Sequence, residues 1–401
     1  MVLQQVEAAK AAARCGDWGD VVNILRQLLQ TSGDRKPHQW PPAVQEDVLA
    51  LGLQVLETGD FSTRWHMAKL LPALGSIAIK PLIAILEDPE VDLEERWFAG
   101  RLLGKFHGPD VIAVLVSVLQ ETTDPDLAAI AAHALASQGT AAIPPLASLL
   151  THPAACSYAL HALSQIPDAS VVSPLLSIAP HADPEIRSAA ILALSNFRDE
   201  RIFPVLTAAV HDRVTAVRRA AAVGLGRWAA IKADESALLP VLTPLLKDWQ
   251  ISVCEQAAIA LGRLKTEGAV SVLATELQSP LTPLPLQIAL IRALSWTEIP
   301  LAVTFLQQSL FQLPEPAVLE VIQVLGRAPE GPLQTQAATA LLSFWAAHDA
   351  PSELAPAVLQ ALAHAWELLE DPRATLALEQ LKNHSQPQVA LHAASALERL
   401  E

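Results

Sequence analysis

The chain has 401 residues, of which 51% are apolar and only 4% aromatic, and its formal net charge is −15. That charge excludes non-specific nucleic-acid binding, which needs a basic surface to neutralise phosphates, and docking on anionic lipid. Three cysteines far apart, Cys15, Cys156 and Cys254, form neither a disulfide framework nor a zinc pattern; they read as small core residues of a cytoplasmic protein.

The first segment, MVLQQVEAAKAAARCGDWGD, is interrupted by Glu7, Lys10 and Arg14, so neither a signal peptide nor membrane insertion is expected. Next, DWGDVVNILRQLLQ and PPAVQEDVLALGLQVL predict a helix pair joined by the polar loop TSGDRKPHQW. Residues 1–60 are expected to form an N-terminal helical cap or degenerate repeat. From 61 to 300 three markers recur at intervals of roughly 30 residues, the period of a helical repeat. A breaker opens each turn, as at Asp88-Pro89, Asp124-Pro125, Asp183-Pro184, Asp212-Arg213 and Asp248-Trp249. A proline sits early in the preceding helix, at Pro81, Pro145, Pro174, Pro204 and Pro240, where a first turn tolerates it. A glycine closes many units, at Gly104, Gly139, Gly226, Gly262 and Gly326, and suits a left-handed helix cap.

Each unit therefore predicts two helices. In DPEIRSAAILAL (183–194), Asp-Pro makes the corner, and Ile186, Ala189, Ala190, Ala193 and Leu194 fall on one face. Such a hairpin cannot bury its apolar face alone, so stacking must supply the core. Residues 301–401 continue as degenerate repeats and end in a C-terminal cap, VALHAASALERLE. The expected fold is all-α: a right-handed superhelical solenoid of about ten helical hairpins.

The units PVLTAAVHDRVTAVRRAAAVGLGRW and PLLKDWQISVCEQAAIALGRL resemble HEAT repeats of the short kind found in phycobilisome lyases. The block TRWHMAKLLPALGSIAIKPLIAILEDPEVDLEERWFAGRLLGKF is similar to long cyanobacterial HEAT-repeat proteins. This resemblance implies partners in a pigment–protein or metallocluster pathway. Phycobilisome lyase subunits attach a bilin to phycocyanin, and another cyanobacterial HEAT protein partners an iron–sulfur scaffold. Deoxyhypusine hydroxylase is a catalytic HEAT-like family whose iron rests on His-Glu dipeptides. None of the twelve histidines here precedes a glutamate, so neither metal nor cofactor is expected.

Nothing in the chain names a base, a nucleophile and an orienting group. Aligning the units on the leucine before each closing position puts Arg101, His133 and His161 in one column, on one face of stacked second helices. A second column holds Arg96, Arg187 and Arg218, whose forked side chains suit carboxylates or carbonyls of a neighbouring unit. Trp65 and Trp97 sit beside Arg64 and Arg96; tryptophan and arginine are enriched at binding hot spots. The candidate partner-binding residues are Arg96, Trp97, Arg101, His133, His161 and Trp228. The expected function is non-catalytic: a scaffold or assembly factor binding a protein, such as a phycobiliprotein, along the concave face made by second helices. The alternative implied by the resemblance is a phycobilin lyase subunit or bilin chaperone, with Arg96, Arg101, His133 and Trp97 receiving the bilin propionates.

Overall fold

The computed structural model describes residues 2–30, 37–232, 234–348 and 354–400. Every regular element among them is helical, and the fold is an all-α array of hairpins. It divides into two compact units, Met1–His181 and Ala182–Glu401. Of the polar loop expected at 31–40, residues 31–36 lie outside the described residues.

In the first unit the N-terminal pairing differs from expectation. Trp18–Gln30 forms its hairpin with Val2–Arg14, and Pro42–Thr58 forms the next with Phe61–Leu70. The reason is chain length: the turn at Cys15–Asp17 is short enough to fold one helix back on the other, and Asp60 caps the fourth helix by accepting from the Thr63 N–H at 2.8 Å. The stretch Phe61–Glu87 is apolar and long enough to cross a membrane, but it is not one rod. Gly75, at φ 75° and ψ −151°, breaks it, giving Phe61–Leu70, a tight turn Leu71–Ala78, and Ile79–Glu87.

The hairpins stack through their second helices. Leu93–Leu103 packs on Pro125–Ser137, which packs on Cys156–Gln165. In the second unit Thr215–Ala229 packs on Ile251–Leu264, which packs on Leu284–Trp296. The closing glycines serve this stacking, not left-handed caps. Gly104 is right-handed, at φ −61°. A Cβ there would lie 3.0 Å from the Ala134 Cβ; at Gly226, 3.2 Å from the Ala260 Cα; at Gly262, 2.7 Å from the Ala293 carbonyl oxygen; at Gly326, 2.7 Å from the Ala365 Cβ. Glycine is required because the next helix's alanine backbone occupies that space. Gly139 alone of the five has the expected left-handed backbone, at φ 64°.

The turn aspartates act twice. Asp124 accepts from the Leu127 N–H at 2.8 Å and Asp183 from the Glu185 N–H at 2.8 Å, each cap contributing about 1 kcal/mol. Asp212 and Asp248 accept from Val214 and Gln250 N–H while also receiving an arginine from the preceding unit. Arg187 grips Asp212 with two bonds of 2.9 and 3.0 Å, and Arg218 grips Asp248 at 2.7 and 2.9 Å. Arg64 makes the same reach to Glu94 at 2.5 Å. Arg187 is thus a rung of an inter-repeat ladder. At Asp88-Pro89 the turn is longer, and Asp92, not Asp88, caps the helix.

Three further expectations are corrected. Ala189 is exposed; it shares the outer stripe of its helix with Glu185 and Leu192, while Ile186, Ala190, Ala193 and Leu194 are buried. Cys15 is exposed, because it sits in the first turn and not on a packed face, whereas Cys156 and Cys254 are buried. Pro240 lies inside Glu235–Leu242, and the helix tightens directly afterwards into the turn Thr243–Lys247.

Candidate functional site

The site is built from two second helices of the first unit, Phe61–Leu70 and Leu93–Leu103, which pack side by side. Each carries a tryptophan followed four residues later by a cation: Trp65 with Lys69, and Trp97 with Arg101. Residues spaced by four share one helix face. The Lys69 ammonium lies 5.5 Å from the Trp65 ring centre, and the Arg101 guanidinium 5.4 Å from that of Trp97. Arg101 also crosses to the neighbouring helix, where its guanidinium carbon stands 4.1 Å over the Trp65 ring. Phe61 stacks on Trp65 at 6.0 Å and tilts against Phe98 at 5.6 Å; Trp97 meets Phe98 edge-on at 5.2 Å. Phe98 is buried and anchors the cluster, whereas Phe61 is 57% exposed.

The electrostatics separate two kinds of arginine. Arg64 is buried and occupied: it holds Glu94 and donates to the Glu57 carbonyl at 2.8 Å. Beside it, burial and the Glu57 charge push the Glu95 carboxyl above its ordinary value, partly opposed by Arg64. Arg101 is half-buried and makes neither a hydrogen bond nor an ion pair among the described residues.

The other predicted residues are placed as follows. Arg96 donates to the Leu86 carbonyl at 3.0 Å, tying its helix to the first helix of the same hairpin. His133 and His161 are exposed on the next second helices, Pro125–Ser137 and Cys156–Gln165; the His161 Nε2 lies 2.7 Å from Gln165 Nε2. Trp97 and Arg101 are brought together, and His133 follows on the helix packed against theirs. Trp228 belongs to the second unit, where it packs on Phe203 at 5.6 Å with Lys232 at 5.9 Å. Sequence reasoning noted Trp65 but left it out of the candidate set, and it missed Lys69 and Phe61 as members of the cluster. The repeated tryptophan-to-cation spacing of four, WHMAK and WFAGR, is the signal that finds Trp65 and Lys69.

In the second unit, Arg292 occupies the repeat position equivalent to Arg101, two residues before its buried leucine. It binds Glu320 of the next second helix at 2.7 and 3.1 Å. The pair borders a cleft of about 470 Å³, which Trp296, Ile299, Val324 and Arg327 also line. No three His, Cys, Asp or Glu side chains among the described residues converge closely enough to hold a metal ion.

The HEAT-repeat family model matches residues 79–156 and 143–226, so this part of the chain is composed of HEAT repeats. No curated protein matches the sequence. Among solved structures, the chain is similar to Kap95p in a structure described as showing that Kap95p binding induces the switch loops of RanGDP to adopt the GTP-bound conformation. There the TM-score is 0.58 at 12% identity, over 95% of this chain and 57% of that one. A Kap121p mutant gives a TM-score of 0.53 at 11% identity, over 100% of this chain and 53% of that one. The chain thus spans about half the length of these two proteins, and the likeness is one of fold. Human deoxyhypusine hydroxylase is 21% identical over 69% of this chain and 99% of that one, but with a TM-score of 0.29 it carries no argument about chemistry.

Proposed function

We propose that the chain is a non-catalytic, cytoplasmic scaffold or assembly factor that binds a protein partner along the second-helix face of its hairpins. The observation that carries this reading is the cluster of Trp65, Trp97 and Arg101: aromatic rings and an unpaired guanidinium on adjacent helices, partly open to solvent. Tryptophan and arginine dominate binding hot spots because they bring large contact area and directional donors to one place. His133 and His161 extend the surface along the following helices, and Arg96 orients the helix bearing Trp97. Trp228, packed on Phe203, marks a second contact region on the other unit. Kap95p, whose fold is similar, is named for binding a protein, RanGDP; a protein is the kind of partner proposed here. The similarity of the 63–106 block to cyanobacterial HEAT proteins favours a partner in a phycobilisome or metallocluster pathway.

Affinity purification from the source cells should recover one stoichiometric partner. Trp97→Ala and Arg101→Ala should each weaken that complex about tenfold, as expected for a hot-spot residue, with the melting temperature little changed. A complex indifferent to both substitutions rules out this face.

A second reading, a phycobilin lyase subunit or bilin chaperone, draws on the same unpaired arginine, since a bilin presents propionates and a flat ring system. Co-expression with phycocyanobilin would then yield a coloured chain or coloured phycocyanin; a colourless result for both removes it.

A further inference from the structure

We propose that Arg101 is a carboxylate receptor, taking a glutamate or aspartate side chain of the partner protein beside an apolar residue that covers Phe61. The inference rests on the partner-binding reading above and names the chemistry of the contact.

The molecule itself shows what this repeat position binds. Arg292, the equivalent of Arg101, reaches forward to the next second helix and takes both oxygens of Glu320. In the first unit the residue in the place of Glu320, five before the column leucine, is Ile130, which is buried. The helix Pro125–Ser137 therefore offers Arg101 no carboxylate there. Arg101 turns back instead and lies on the Trp65 face, with Trp97 beside it.

That posture prepares it for an external anion. A guanidinium lying on an aromatic ring uses its face, while its N–H donors lie in its plane and point outward from the edge. Two of those donors match a carboxylate in the forked geometry. The tryptophans restrict the side chain beforehand, so less rotamer freedom is lost on binding. At the start of the same helix two acids are already engaged: Glu94 and Asp92 both lie within ion-pair distance of Arg64. Lys69, 5.5 Å from the Trp65 ring centre, has no ion pair among the described residues and adds a second positive charge. On a chain of net charge −15, an isolated pair of cations suits one or two carboxylates and not a polyanion. Phe61, exposed and stacked on Trp65, gives the flank of an acidic residue an apolar surface.

The test uses the full chain and two blocked tetrapeptides, Phe-Glu-Glu-Phe and its isostere Phe-Gln-Gln-Phe. The indole N–H resonances of Trp65 and Trp97, assigned through Trp65→Phe and Trp97→Phe, report binding. The glutamate peptide should shift both resonances saturably and more weakly as salt rises. The glutamine peptide should bind about tenfold less tightly, the usual worth of one charge-assisted pair. In Arg101→Gln the two peptides should become equivalent; Arg101→Lys should keep part of the preference, since it retains the charge without the fork. Equal binding of both peptides to the unaltered chain overturns the carboxylate receptor while leaving an apolar partner-binding face intact. A preference that persists in Arg101→Gln, or no shift with either peptide, also overturns it. Biliverdin shifting the resonances where the glutamate peptide does not would overturn it in favour of the bilin reading. Failure of the partner-binding reading is read separately, from the purified complex.

Discussion

Arg218→Ala should destabilise the second unit by about 3 kcal/mol, measured by urea unfolding, because it strands Asp248. Both side chains of this pair are 7% exposed. The guanidinium also donates to the Asp212 and Arg213 carbonyls, so its removal unpairs several acceptors at once. The figure lies at the lower end for a broken buried pair because Asp248 keeps the Gln250 N–H. Burial pushes the Asp248 carboxyl up, but the Arg218 bonds and the Gln250 N–H outweigh it and hold the group below its ordinary value. Asp212 behaves likewise: burial raises it, and Arg187 with the Val214 N–H brings it lower.

A carboxyl depressed in the folded state contributes stability that is complete above its unfolded value, about 4, and is lost as pH falls through the folded value. The melting temperature of the unaltered chain should therefore be level from neutral pH to about 5 and fall below about 4. In Arg218→Ala the burial of Asp248 is offset only by the Gln250 N–H, so its protonation becomes more favourable than in the parent. The gap between variant and parent should narrow as the solution is acidified. A constant gap from pH 7 to 3 would show that the pair contributes nothing through charge.

The second large effect has two signs. Gly262→Ala should destabilise by about 1–3 kcal/mol, the usual range for overpacking, whereas Gly100→Ala should stabilise by up to about 1 kcal/mol. Both glycines lie within helices, where alanine is intrinsically preferred. At Gly262 the new carbon would meet the Ala293 carbonyl oxygen at 2.7 Å and its Cα at 3.1 Å, and backbone of a packed helix cannot step aside cheaply. At Gly100 the nearest atoms are the Ile130 Cγ2 at 3.4 Å and the Leu86 Cδ1 at 3.5 Å, an ordinary contact that fills space. Thermal melts of the two single variants decide the matter; equal shifts would mean that the helix contact at Gly262 is looser than described.

The repeat period, the all-α fold and the Asp-Pro corners were legible in the chain because each rests on local chemistry. Asp-Pro stops one helix and starts another whatever surrounds it. Alanine and leucine at helical spacing can bury only one face. The pairing of Arg187 with a turn aspartate was readable for the same reason: the repeat brings residue types into register at a fixed interval. The same regularity concealed a difference in pairing. Arg101 and Arg292 occupy one column and look alike in sequence, and their difference lies in Ile130 against Glu320 on the following helix.

The amino-acid order by itself determined that the chain folds as stacked hairpins, and that Trp97 and Arg101 share a helix face, because both follow from 3.6 residues per turn. Only the tertiary structure decided what the closing glycines do and that Arg101, unlike Arg292, finds no carboxylate among the described residues. A glycine is written the same way for a left-handed turn and for a close helix contact; the Ala293 backbone beside Gly262 distinguishes them. An arginine is likewise written the same way whether a neighbour satisfies it or not. Its partner is set by the packing of one helix on the next, which brought Trp65 to Arg101 at 4.1 Å and left the guanidinium without a carboxylate among the described residues.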